Sequence, residues 1–202
     1  MTSAFDDRAR TWDDDPRRRQ LAAGIFGALE QAVPLRAEWT ALDYGAGTGL
    51  LTLALAARVR RVLAVDSSAG MLAVLAEKAR AGGANVETLH ADFAQDPLPA
   101  GPFDLIASAM TLHHVADVAG LLRKFFALLA PGGRIALADL DAEDGSFHGA
   151  NAAGVHHLGF DRAALERQLA AAGFSDVCFS AAARSEKNGR VYPVFLVAAR
   201  KP

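Results

Sequence analysis

A single cysteine, Cys178, stands among 202 residues, so no internal disulfide is available to hold the fold. It falls inside a predicted strand, where it reads as a small buried hydrophobe, and a reducing cytoplasm suits it. No stretch reaches the roughly 18 consecutive apolar residues of a membrane helix. Acidic residues fall within the first seven positions and no apolar core of an export signal accompanies them, so a cytoplasmic protein is expected. An excess of one charge is also missing, because 21 Lys and Arg face 23 Asp and Glu. Without a single-sign field the chain lacks the footprint of a nucleic-acid or membrane-surface binder, and a small molecule is the expected partner. Internal repeats and low-complexity tracts are absent.

What is present is a 51% hydrophobic chain, enough to bury the core of one domain spanning 1–202. From about residue 40, short apolar runs alternate with longer alanine- and leucine-rich segments. The strands read as TALDYG (40–45), RVLAVD (61–66), NVETLHA (85–91), FDLIASA (103–109) and GRIALADL (133–140). Helices fall near 49–58, 68–82 and 117–130, the last stopped by APGG. This order predicts an α/β fold with a mostly parallel sheet covered by helices. A further helix begins after Asp161, a suitable N-cap, and ends at Gly173; two strands follow near 175–183 and 191–200. Asn188-Gly189 between them suggests a hairpin, while Pro193 is tolerable only near a strand's start or at an unpaired position. Residues 1–35 read as a helical cap on the 36–202 core, with Pro16 suited to a first helical turn.

The loop LDYGAGTGL, residues 42–50, runs from an apolar strand through Gly45, Gly47 and Gly49 into a helix. Glycines there permit unusual backbone angles and close approach of a ligand. Leu50 stands where a dinucleotide-binding GxGxxG would need its third glycine, which argues against a nicotinamide oxidoreductase. Asp43, two residues before Gly45, is a poor neighbour for a pyrophosphate and a good one for a cationic amino group. Asp66, 21 residues beyond Gly45 at the end of the second strand, lies at the interval of an acid that accepts from ribose hydroxyls. Asp92 and Phe93 end the third strand, offering a polar acceptor beside an aromatic ring. Three acids on one sheet edge imply a phosphate-free, cationic nucleoside.

With LDYGAGTGL, VLAVDSSAGML, ADFAQDPLP, FDLIASAMTLHHV and LLAPGGRIALADL in order, residues 5–199 resemble the class I S-adenosylmethionine-dependent methyltransferases. The small-molecule branch similar to ubiquinone and menaquinone-biosynthesis enzymes is the nearest likeness. The resemblance implies a Rossmann-like, seven-stranded sheet whose last strand is antiparallel, and S-adenosyl-L-methionine as cofactor, released as S-adenosyl-L-homocysteine. It implies that Gly45, Ala46 and Gly47 hold the methionine part with Asp43 nearby, and that Asp66, followed by Ser67, binds the ribose. Met71, Asp92 and Phe93 would surround the adenine, and Ser108 and Ala109 would face the methionyl group.

For chemistry, His113 and His114 follow the fourth strand where an acceptor would sit, and either could act as base; packing and helix capping are the alternative roles. His148, His156 and His157 could line the acceptor pocket, but their spacing fits no familiar metal pattern, so no metal is expected. Trp12 in FDDRARTWDDDP could close over the cofactor as part of a lid, or anchor the cap. Arg17, Arg18 and Arg19 point in different directions on a helix and read as a solvated face. The chain lacks the Asn/Asp-Pro-Pro-Tyr motif of enzymes that methylate planar amino nitrogens. A methyltransferase acting on a small molecule is the expectation; a non-catalytic cofactor-binding regulator is the alternative.

Overall fold

The computed structural model describes residues 5–149, 154–187 and 189–202. Seven strands form one sheet: β1 Thr40–Tyr44, β2 Arg61–Asp66, β3 Val86–His90, β4 Phe103–Ala109, β5 Leu129–Leu140, β6 Ser175–Lys187 and β7 Arg190–Arg200. Their order is β3-β2-β1-β4-β5-β7-β6, with β7 antiparallel to both neighbours and the first five strands parallel. The helices are α1 Pro16–Ala32, α2 Leu50–Ala56, α3 Ala69–Gly82, α4 Val118–Leu128 and α5 Arg162–Ala171. A 3-10 segment, Asp6–Asp14, precedes α1.

Strand alternation sorts the core into two layers. Ala41, Val62, Leu105 and Leu196 pack with Ile25 and Leu29 of α1 and Leu51 and Leu55 of α2. Leu42, Val65, Ile106 and Phe195 pack with Leu122 and Phe125 of α4 and Leu165 and Leu169 of α5. Ala64 meets Leu72 and Leu75 of α3. Every residue of β1 is buried, as expected of a central parallel strand. Phe103, Phe125 and Phe195 are sealed from solvent, and each such burial contributes roughly 1.5–3 kcal/mol.

The helix signals act as expected. Pro16 opens α1 behind the Asp15 cap, and the Asp161 carboxylate accepts from Ala164 N–H at 2.8 Å to start α5. Two boundaries differ from expectation. The fourth helix ends at Leu128, and β5 begins at Leu129, because Pro131-Gly132-Gly133 is absorbed as a bulge between the pairs Phe103–Leu129 and Leu105–Arg134. β6 extends to Lys187, paired with Arg190; Asn188 lies outside the described residues, and Gly189 has φ 73°. Pro193 is the fourth residue of β7, and its carbonyl accepts from Asp141 N–H just past the last β5 pair, Leu140–Val194. Its missing donor therefore falls where the ladder with β5 has ended. Cys178 corrects the expectation of burial: β6 is an edge strand with alternating exposure, and the thiol is on its exposed side. No helix among the described residues is long and apolar enough to cross a membrane.

Candidate active site

The strand order reverses between β1 and β4, and ligands in open α/β sheets bind at that point, outside the carboxyl ends of the strands. The glycine loop sits there. Gly45 has φ 74°, and a Cβ on it would collide with the side chain of Thr111, which follows β4. Gly49 has φ 86°, and a Cβ there would strike Leu75 of α3. Gly47, by contrast, faces open space. The loop thus fixes the β1–β4 seam at Gly45 and leaves its tip approachable at Gly47. Ser108 reinforces the seam, since its buried hydroxyl donates to the Tyr44 carbonyl at 2.8 Å. Met110, next to Ala109, holds φ 55°, an uncommon left-handed conformation at the same edge.

Asp66 reaches across to this loop. Its carboxylate accepts from Gly47 N–H at 2.7 Å and from Ser68 N–H at 2.8 Å, one bond per oxygen. Each oxygen keeps lone-pair capacity for a hydroxyl. Burial pushes the Asp66 carboxyl upward, against those two hydrogen bonds. Asp43 is 1% exposed, accepts from the Thr52 hydroxyl at 2.6 Å, and is pushed up to about 7, chiefly by burial. A buried acid beneath a glycine loop gains most from a cation placed nearby.

Ala46 and Met71 are buried at this edge, Met71 in the first turn of α3, while Ser67 is exposed and its carbonyl lies 3.0 Å from His90 Nε2. Asp92 turns its carboxylate onto Ala94 N–H at 2.8 Å and Gln95 Nε2 at 3.2 Å, bracing the turn after β3. Phe93 is placed differently from its expected role: its ring is fully buried, 5.0 Å from that of Tyr44, and belongs to the core under α4. Its carbonyl accepts from Lys124.

The N-terminal 3-10 segment covers the site through two acids that sequence reasoning missed. Asp6 accepts from Ser68 Oγ at 2.5 Å and Gly70 N–H at 2.9 Å, at the start of α3. Asp13 accepts from Thr48 Oγ1 in the glycine loop at 2.6 Å and from Lys78 Nζ at 2.6 Å. Lys78 also donates to the Thr48 carbonyl at 2.7 Å. Trp12, partly buried between these acids, has the Arg18 guanidinium 3.8 Å above its ring and Phe5 edge-on at 5.8 Å. The three arginines therefore do more than face water. Arg18 and Arg19 donate to the carbonyls of Trp12 and Asp13, and Arg17 pairs with Asp15.

Histidines gather on the other side of Thr111. His113 is 2% exposed, with Nδ1 2.7 Å from the carboxylate of the wholly buried Asp139 at the end of β5. His114 Nδ1 lies 2.8 Å from the Gly154 carbonyl, and its ring meets Phe5 at 5.6 Å. The rings of His113 and His114 are 4.2 Å apart, and His148 approaches them to 4.9 and 5.9 Å. Burial, then the neighbouring His113, pushes His114 down; burial and both histidines push His148 down to about 4. His156 and His157 join this cluster through the backbone, their N–H groups donating to the His113 carbonyl, while His157 Nε2 donates to that of Val115. Asp139 was legible only as an acid inside an otherwise apolar strand.

A glycine tip with free space, an acid with spare acceptor capacity and a second buried acid suit a cationic nucleoside, and the antiparallel β7 separates this sheet from the all-parallel dinucleotide fold. These are features of a Rossmann-like methyltransferase. The family described as "Methyltransferase domain" matches residues 41–133. An uncharacterized methyltransferase of Geobacillus kaustophilus is 36% identical over 161 residues, covering 76% of this chain and 72% of that protein. A demethylmenaquinone methyltransferase of Thermus thermophilus is 37% identical over 130 residues, 63% of this chain and 56% of that protein. Phosphoethanolamine N-methyltransferase 2 of Haemonchus contortus, solved with S-adenosyl-L-methionine, superposes with a TM-score of 0.73 at 19% identity, over 88% of this chain and 52% of that one. The chain belongs to the S-adenosylmethionine-dependent methyltransferases.

Proposed function

We propose that the protein transfers a methyl group from S-adenosyl-L-methionine to a small-molecule acceptor by in-line displacement. The observation that carries this reading is the Asp66 carboxylate bonded to Gly47 N–H, which joins the ribose-type acid to the glycine loop at the switch point. When bound, the cofactor supplies an electrophilic methyl group on a sulfonium. Asp66 and the Ser67 backbone would hold the ribose, Gly45, Ala46 and Gly47 the methionyl chain over Asp43, and Met71 and Asp92 the adenine side. Ser108 and Ala109 would border the reacting end.

The acceptor would enter between the 3-10 segment and the histidine cluster, with His113 and His114 beside it. Closure of Phe5 and Trp12 would exclude water and align the acceptor, which is where most of the acceleration of a displacement arises. The balanced overall charge and the aromatic rings of Phe5 and Trp12 on the cover favour a small acceptor. Calorimetry should detect binding of S-adenosyl-L-methionine and S-adenosyl-L-homocysteine, weakened about 10- to 100-fold in Asp66→Ala by loss of charge-assisted hydrogen bonds. No binding to the unaltered protein defeats the reading. A screen of metabolite pools for a labelled methyl group then identifies the acceptor.

A further inference from the structure

We propose that His114 takes up a proton from the methyl acceptor and that Asp139, acting through His113, is the positioning residue that prepares the site for that charge. The acceptor is therefore one that surrenders a proton, a hydroxyl or an acidic carbon, and not a thioether or a tertiary amine. This rests on the methyltransferase reading and deepens its acceptor side.

Hydrogen-bond partners fix the tautomers. The Gly154 carbonyl can only accept, so His114 carries its proton on Nδ1 and leaves a lone pair on Nε2. The Asp139 carboxylate accepts from His113 Nδ1 and from two backbone N–H groups, those of His113 at 3.2 Å and Leu140 at 2.7 Å. Three donors converge on it, so its geometry is set before any acceptor arrives. His113 itself is closed in: its ring is nearly sealed, and its carbonyl is taken by His156 and His157. His114 is the member of the pair that meets Phe5, next to Asp6, which ties the cover to α3.

Charge gives the division of labour. His113 and His148 flank His114, His156 lies near it, and Asp139 is the anion behind His113; Glu143 and Lys187 act on His148. Crowded imidazoles disfavour holding more than one proton, and burial keeps His114 and His148 neutral near pH 7. In the transfer, the acceptor's proton passes to His114 Nε2 as its electron pair forms the bond to the methyl carbon and the carbon–sulfur pair stays on sulfur. The resulting imidazolium lies one ring away from the Asp139 carboxylate, which stabilises it across His113.

The test uses 15N-histidine-labelled protein saturated with S-adenosyl-L-homocysteine, its binding confirmed by calorimetry on the same sample. Long-range proton–nitrogen spectra should show His113 and His114 protonated at Nδ1 near neutral pH, with His114 Nε2 titrating below the ordinary imidazole value. Asp139→Asn should lower the proton affinity of His114 about threefold or more, by removal of a buried charge. His113→Gln, which leaves Asp139 but removes the imidazole that pushes His114 down, should raise the proton affinity of His114 and covers the case in which Asp139→Asn does not fold. Catechol, as a hydroxyl probe, should shift His114 Nε2 more than any other histidine nitrogen. An Nε2–H tautomer at His114, or a His114 titration unmoved by both variants, overturns the proposal while homocysteine-cofactor binding leaves the methyltransferase reading standing. Failure of the cofactor product to bind removes both.

Discussion

Lys78 Nζ stands 2.6 Å from the Asp13 carboxylate and 2.7 Å from the Thr48 carbonyl, so one ammonium on α3 joins the N-terminal segment to the glycine loop. Both side chains of the pair are about a quarter to a third exposed, which places their interaction near 1 kcal/mol. Lys78→Met should therefore speed amide exchange over residues 6–14 by about fivefold while the melting temperature moves little. Exchange unchanged in that segment shows that the remaining bonds of Asp6 and Asp13 hold it alone.

Trp12 lies under the Arg18 guanidinium and against Phe5, and its removal empties the middle of the cover. Trp12→Ala should weaken S-adenosyl-L-homocysteine binding about fivefold through a faster off-rate. Equal affinity in calorimetry rules out a lid role and leaves Trp12 as an anchor of the cap.

Asp43 couples stability to pH in the direction opposite to most carboxylates. Its folded value, about 7, lies above the ordinary 3.8, so the folded state keeps a proton that the unfolded chain has released. Its contribution to stability is present below pH 4 and is lost as pH rises to 7. A cationic cofactor above it should expel that proton. Calorimetric binding enthalpies in phosphate and Tris at pH 7 should differ by the buffers' ionisation heats, and the difference should vanish in Asp43→Asn. A buffer-independent enthalpy in the unaltered protein places the cation away from Asp43.

His148 acts in the ordinary acidic direction. Held at about 4 when folded against 6.5 ordinarily, it resists a proton that the unfolded chain accepts, so stability falls as pH drops from 6.5 to 4. His114, also lowered, adds to the same loss. Urea midpoints at pH 7 and pH 4.5 should differ less in His148→Gln than in the unaltered protein; equal differences would show that His148 is protonated without cost.

The sheet and the glycine loop at its edge were legible in the sequence because parallel strands are buried on both faces and therefore read as unbroken apolar runs, as TALDY and RVLAVD do. Asp43 and Asp66 could be placed by their distance from Gly45. Phe93 could not, because a phenylalanine after a strand looks the same whether it turns to a ligand or, as here, under Tyr44. Cys178 misled for a related reason: apolar alternation reveals a strand but not that it lies at the sheet's edge. The Asp6, Asp13 and Asp139 contacts join residues from 26 to 65 positions apart, and no local pattern reports such pairings.

Phe5 and the 3-10 segment after it have their partners at Thr48, Ser68, Gly70, Lys78 and His114, all later in the chain. During synthesis they must wait, undocked, until the first half of the sheet and the histidine turn exist. The cover thus emerges before every group it bonds, and a ribosome-bound chain lacking residues beyond β3 would have a glycine loop but no finished seam behind it.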